Sequence, residues 1–138
     1  MANVKSKNGQ ISEIIKCGKD PVYFMNRYLK IQHPLKGLIR FNTFPFQDDC
    51  VKDFNDHRFN IILKSRQLGL STLVAAYAVW QAVFYKEKNI LIIATKLAVA
   101  QNFIRKVKTY IKSMPKWLLV PVITANNKQQ VEFSNGSQ

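Results

Sequence analysis

The feature that most constrains the fold is a stretch over residues 71–86 that has almost no polar face. A helix that is apolar all round must be buried on more than one side. A short apolar run at residues 59–63 precedes it, across a polar turn at residues 64–69 that contains a glycine. Runs rich in β-branched and aromatic residues are typical of buried strands. The order therefore predicts a strand, a tight turn and a buried helix.

A second strand and helix follow in the same order. Residues 89–94 form another apolar run, and residues 97–114 carry apolar side chains at the three- and four-residue spacing of an amphipathic helix, which ends at Pro115. The rest of that helix carries a basic stripe of four residues, predicted to be solvated: Arg105, Lys106, Lys108 and Lys112. Alternating strands and helices with continuous apolar strands predict an α/β fold with a parallel sheet.

Two further helices are predicted before the first strand. Asp20 followed by Pro21 is typical of a helix start, which predicts a helix over residues 21–30. The second is a short helix after Gln47, whose polar face would be formed by four acids: Asp48, Asp49, Asp53 and Asp56.

Composition narrows the class of partner. Twenty-one Lys and Arg against eight Asp and Glu leave a net charge of +13, which suits a polyanion such as nucleic acid or an anionic membrane surface. No apolar run reaches 18 residues, so a membrane span is not expected, and residues 1–10 lack the apolar core of a secretory signal. Cys17 and Cys50 stand apart without metal-site spacing, which favours a reducing compartment and no disulfide.

The turn at residues 64–72 invites comparison with a phosphate-binding loop. In such loops glycine lets the backbone approach the phosphates, amide N–H groups cradle them, a lysine reaches the outer phosphates and a hydroxyl holds magnesium. Gly69 and Ser71 are in place, whereas Leu70 stands where the lysine is usual. Lys64 or Arg66 could supply the missing cation. The alternative is an ordinary turn in which Ser71 or Thr72 only caps the helix.

A second motif lies upstream, in Phe44-Pro45-Phe46-Gln47. A glutamine amide can donate to and accept from the adenine edge at once, and an aromatic neighbour can cover a purine face. The alternative is a proline–aromatic turn before a helix.

Together these residues resemble the large terminase subunit of tailed bacteriophages, the motor that pumps DNA into capsids. Residues 65–72 are similar to that family's deviant Walker A segment, and residues 44–47 to its adenine-binding glutamine motif. Other stretches are similar to segments before and after these motifs in terminases of contractile-tailed phages: residues 20–24, 31–34, 92–96 and 131–137.

The resemblance implies a P-loop NTPase-like parallel sheet flanked by helices and truncated in mid-domain. Residues 1–40 would be a helical lead-in and residues 41–138 an incomplete ATPase domain. The implied cofactors are ATP and Mg²⁺, with Ser71 as the magnesium ligand and Arg66 and Lys64 as the catalytic cations. The implied ATP-binding residues are Phe46, Gln47, Ser65, Gln67, Leu68, Gly69, Leu70, Ser71 and Thr72.

In the complete motor, ATP hydrolysis would drive DNA into the procapsid. The resemblance implies double-stranded DNA, the portal protein and the small terminase subunit as partners. It also implies a homo-oligomeric ring that acts in the cytoplasm of the infected bacterium, transiently on the procapsid and not at a membrane.

The family places a second magnesium-coordinating acid and a water-orienting carboxylate after a segment like residues 135–137. No apolar run here ends in Asp-Glu, so the expectation is an N-terminal piece that does not hydrolyse ATP alone, with a hairpin turn at Asn135-Gly136. Two alternatives stay open. One is a small basic nucleic-acid-binding module that uses the basic stripe, and the other is a structural or regulatory fragment that docks onto a motor or capsid component.

Overall fold

The computed structural model describes residues 7–33 and 35–138. Within them the chain forms five helices and four short strands, a mixed α/β arrangement. The helices are α1 (Lys7–Lys19), α2 (Pro21–Tyr28), α3 (Pro45–Asp56), α4 (Leu70–Phe84) and α5 (Leu97–Ser113). The strands are β1 (Lys30–His33), β2 (Gly37–Arg40), β3 (Ile123–Asn126) and β4 (Val131–Phe133).

The sheets are two separate antiparallel pairs, β1 with β2 and β3 with β4. The predicted α/β class is therefore confirmed only in its coarse form, because the described residues contain no parallel sheet. The division at residue 40 stays a prediction. Residues 1–6 and Pro34 lie outside the described residues. The first belong to the segment 1–10 that was predicted to lack a signal core, and Pro34 ends the terminase-like segment 31–34.

The predicted helix at residue 21 is confirmed. The Asp20 carboxylate accepts a hydrogen bond from the Tyr23 N–H at 2.9 Å, and Pro21 occupies the first turn, where its missing N–H costs nothing. Glu13 of α1 is buried and accepts hydrogen bonds from the hydroxyls of Tyr23 and Tyr28, the latter at 2.7 Å. These bonds join the first two helices.

The centre of the fold is α4, which is apolar all round as predicted. Nine of its residues are buried: Leu70, Leu73, Ala75, Ala76, Ala78, Val79, Trp80, Ala82 and Val83. The Trp80 indole N–H donates to the Cys17 carbonyl at 2.8 Å, and the Tyr110 hydroxyl of α5 donates to the Thr72 carbonyl at 3.0 Å. Helices from both ends of the chain thus pack against α4.

The two predicted strands do not form within the described residues. Residues 59–63 are irregular and exposed, with Ile61 and Leu63 each 100% exposed. Residues 89–94 are also irregular, although the Ile90 N–H donates a hydrogen bond to the Gln138 carbonyl at 2.8 Å. A strand exists only where a neighbour accepts its backbone hydrogen bonds, and no described segment lies beside residues 59–63 to do so.

The turn predicted at residues 135–136 is confirmed. The Gly136 N–H donates to the Phe133 carbonyl at 3.0 Å, and Gly136 has φ +81°, a conformation that favours glycine. The Asn135 amide donates to the Ala82 and Tyr85 carbonyls at 2.8 and 3.0 Å. The turn therefore satisfies carbonyl groups at the C-terminal end of α4.

The two cysteines do not form a disulfide. No helix of the described residues is both long and apolar enough to cross a membrane.

Candidate functional site

The candidate site is the loop before α4. The helix begins at Leu70, one residue before the predicted stretch, and its N-cap is Gly69 with φ +71°. Gln67 is also left-handed, with φ 65°, which is uncommon for a residue with a side chain. A Cβ at position 69 would lie 3.0 Å from the Gln47 side-chain nitrogen. Glycine is thus required here both by backbone conformation and by space.

The first turn of α4 leaves donors for a ligand. The N–H groups of Thr72 and Leu73 both donate to the Gly69 carbonyl, at 3.0 and 2.9 Å. The preceding N–H groups, of residues 69–71, have no acceptor within the described residues, and Gly69 has no side chain to cap them. Free N–H groups at the positive end of a helix dipole are suited to bind an anion.

Gln47 lies against this loop, so the structure brings together the two motifs that the sequence predicted to act jointly. Its side chain is 2% exposed. The amide nitrogen donates to the Leu68 carbonyl at 3.0 Å, and the amide oxygen accepts from the Phe44 N–H at 3.1 Å. One donor and one lone pair of the amide remain for a ligand.

An aromatic surface adjoins Gln47. The rings of Phe44 and Phe46 stack with centroids 5.8 Å apart and planes 6° apart, and both rings are exposed. An exposed aromatic face next to a buried amide can cover a planar base while the amide contacts its edge.

The two predicted catalytic cations lie apart from the start of α4. Lys64 and Arg66 are exposed, and the Lys64 ammonium donates to the neighbouring Ser65 carbonyl at 3.3 Å. Leu70, at the position of the usual lysine, is 6% exposed and belongs to the core. The remaining loop positions, Ser65, Gln67 and Leu68, are exposed. Within the described residues neither Lys64 nor Arg66 forms a side-chain hydrogen bond to residues 69–72, so their roles stay predictions.

Ser71 offers one oxygen for magnesium. It is exposed at the second position of α4, and its hydroxyl forms no hydrogen bond within the described residues. The described residues also contain no cluster of three or more His, Cys, Asp or Glu that could hold a metal. Since Mg²⁺ takes phosphate oxygens and waters as ligands in nucleotide sites, Ser71 fits the ion only together with a bound triphosphate.

The sequence did not indicate that Lys106 contacts the first turn of α4. Its ammonium donates to the Thr72 hydroxyl at 3.0 Å, and the side chain is half-buried, which lowers the pKa of the amine. The prediction of a solvated basic stripe is therefore wrong at Lys106, whereas Arg105 and Lys112 are exposed as predicted, and the ammonium of partly exposed Lys108 donates to the Asn127 carbonyl. Helical spacing carried the signal, since position 106 lies between the core-packed positions 103 and 110.

Comparison with known families identifies the family of proteins to which this chain is similar. A family model of the N-terminal part of the large terminase subunit, T4likevirus type, matches residues 61–138. That span is more than half of the 138 residues. The chain belongs to this terminase family. The resemblance drawn from the motifs is thereby confirmed.

The match includes the loop, α4, α5 and the β3–β4 hairpin, and it begins after the Phe44–Gln47 motif. Membership of a terminase large-subunit family supports a role in bacteriophage DNA packaging. The match alone assigns neither a bound nucleotide nor a function to any single residue.

Proposed function

We propose that this terminase chain binds Mg–ATP at the start of α4, as the nucleotide-binding part of a DNA-packaging motor. The observation that carries the proposal is the contact between Gln47 and the loop at Leu68–Gly69, since it joins an adenine-reading amide to the free N–H groups of residues 69–71. A base and a phosphate chain need these two kinds of group at neighbouring positions.

Each residue has a chemical part in this proposal. The free donor of Gln47 contacts the adenine edge while Phe46 covers its face. The N–H groups of residues 69–71 hold phosphate oxygens, assisted by the dipole of α4, and Ser71 ligates magnesium. When bound, Mg²⁺ would neutralise charge on the outer phosphates. Arg66 stays the proposed cation for the terminal phosphate, because its exposed side chain is free to turn towards a ligand.

In the complete motor, the proposal couples ATP hydrolysis to movement of double-stranded DNA into the procapsid. The portal protein, the small terminase subunit and a ring of identical chains are the partners that this role implies. The net charge of +13 supports a polyanionic partner.

The test uses two glycines with the same backbone conformation. Gly69 has φ +71° and Gly37 has φ +69°, so alanine strains both backbones alike. Only at Gly69 does the new Cβ meet Gln47, at 3.0 Å, whereas nothing lies within 4 Å at Gly37. We expect Gly69→Ala to weaken Mg–ATP binding at least roughly tenfold by calorimetric titration, and Gly37→Ala to leave the affinity unchanged.

A wild-type chain that shows no heat of binding and no thermal stabilisation by Mg–ATP would overturn the proposal, because a ligand at 100 times its Kd stabilises a fold by about 2.7 kcal/mol. Equal affinities of the two variants would remove the loop from the site. Stabilisation by duplex DNA but not by ATP would instead support the small nucleic-acid-binding module.

A further inference from the structure

The proposed site lacks a cation in the place where one is usual. Leu70 is buried in the core, and exposed Lys64 and Arg66 form no side-chain hydrogen bond to residues 69–72 within the described structure. A triphosphate carries several negative charges, and backbone N–H groups alone supply only partial positive charge. A site of this kind therefore needs a cation from another part of the molecule.

Lys106 is such a cation. It projects from α5, and its ammonium donates to the hydroxyl of Thr72, the third residue of α4, at 3.0 Å. An ammonium has three donors, and this is its one hydrogen bond within the described residues, so two donors remain. None of the described carboxylates forms an ion pair with it.

The space around Lys106 borders the first turn of α4. One cavity, of about 290 Å³, is lined by Lys106, Ser71 and Asn102 together with residues 92–94. A second, of about 480 Å³, is lined by Lys106, Arg105 and Thr72. Lys106 thus separates two openings that both border the first turn of α4, and one of them contains the proposed magnesium ligand.

The energetics favour an anionic ligand at this position. Burial lowers the pKa of Lys106, which means that the charged amine is poorly compensated in the free protein. A phosphate oxygen beside the ammonium would compensate that charge. The helix geometry supports the same role, since the Tyr110 hydroxyl, one turn further along α5, holds the Thr72 carbonyl at 3.0 Å and keeps the two helices in register.

We infer that Lys106 supplies, from α5, the phosphate-binding charge that Leu70 cannot supply from the loop. This inference rests on the proposed function, because it assigns a residue to the same ATP site. It identifies the ligand class as a nucleotide with at least two phosphates, held between the N–H groups of residues 69–71 and the ammonium of Lys106.

The experiment is a nucleotide series on matched variants. Lys106→Met removes the charge and keeps a long apolar stem, whereas Lys106→Arg keeps the charge. Lys108→Met is the control, because Lys108 is also half-buried on α5 but its ammonium donates to the Asn127 carbonyl, in another part of the molecule. Affinities for AMP, ADP and ATP are measured by calorimetric titration with Mg²⁺, and circular dichroism checks that each variant is folded.

We expect Lys106→Met to weaken ATP binding roughly 10- to 100-fold, the range for one charge-assisted contact. The loss should be smaller for ADP and nearly absent for AMP, Lys106→Arg should recover much of the ATP affinity, and Lys108→Met should change it less than about twofold. The graded loss is the decisive readout, since a merely structural role of Lys106 would weaken all three nucleotides equally.

Three results would overturn the inference. Wild-type ATP affinity in a folded Lys106→Met variant would exclude Lys106 while leaving the proposed ATP site intact. An equal loss for AMP and ATP would assign Lys106 to packing of α5 on α4. A wild-type chain that binds no nucleotide would overturn the proposed function itself, and the inference with it.

Discussion

The helix α4 and residues 59–63 lie on either side of the same loop and are both strongly apolar, yet their burial is opposite. Leu73 is fully buried in α4, whereas Ile61 and Leu63 are fully exposed. A helix satisfies its own backbone hydrogen bonds and needs only side chains to cover it, but a strand needs a neighbour for its backbone. Of these two apolar segments, only the one whose backbone is satisfied locally is buried.

The same contrast divides the candidate site. Gly69, Leu70 and Thr72 are held by α4, whose contacts with α1 and α5 are fixed by Trp80 and Tyr110. Lys64 and Arg66, on the other side of the loop, are exposed. The N–H groups proposed to bind phosphate are thus held in place by α4, while the two loop cations are exposed. This difference is the physical reason to look to α5 for a fixed cation.

The largest expected effect is the difference in stability between two leucine truncations, one in α4 and one in residues 59–63. Leu73→Ala should lower the free energy of unfolding by about 2–5 kcal/mol, because it leaves a cavity in the core. Leu63→Ala should change it by less than about 0.5 kcal/mol, because the side chain is fully exposed. Urea unfolding followed by circular dichroism measures both. A cost of several kcal/mol for Leu63→Ala would show that residues 59–63 are buried in solution.

A smaller effect on stability is expected from the hydrogen bond that joins α4 to α1. Trp80→Phe removes the indole N–H that donates to the Cys17 carbonyl, and we expect a loss of about 1–3 kcal/mol in the free energy of unfolding. Trp117→Phe is the control, since Trp117 is half-buried against the Tyr28 ring and its N–H makes no hydrogen bond within the described residues. Equal losses in urea unfolding would mean that ring packing, and not the hydrogen bond, anchors α1 to α4.

What could be predicted from the sequence follows the same division. The starts of α2 and α4 were predicted to within a residue, because Asp20, Pro21 and Gly69 act locally. The end of α5 before Pro115 was predicted for the same reason. The strands predicted at residues 59–63 and 89–94 were wrong, since strand formation depends on a partner that local composition does not specify. The short antiparallel pairs were missed because their strands are only three or four residues long.

For the candidate site, the sequence predicted the joint position of Gln47 and the loop, which the structure shows in contact. That success came from a resemblance between ordered motifs and not from the periodicity of any one segment. Lys106 was assigned to a solvated stripe because a lysine next to a core position can point either way. Only the packing of α5 on α4 decides whether Lys106 points to solvent or to α4. The sequence of one helix does not specify that packing.

The smallest predicted effect tests the burial of Lys106 without any ligand. Its pKa is lowered from 10.5 by burial, so between the folded and unfolded pKa values the unfolded chain binds more protons. Lys106 should therefore contribute a rise in the free energy of unfolding with pH over that window, which lies below pH 10.5. Lys106→Met should show a smaller rise, whereas Lys108→Met should follow the wild type. The groups with raised pKa values act in the opposite direction and are common to all three proteins, so the difference in slope isolates Lys106; they are Tyr23, Tyr28, Tyr77, Tyr110 and Cys50. Urea unfolding at several pH values gives the slopes, and identical slopes for wild type and Lys106→Met would mean that the ammonium is fully hydrated at the start of α4.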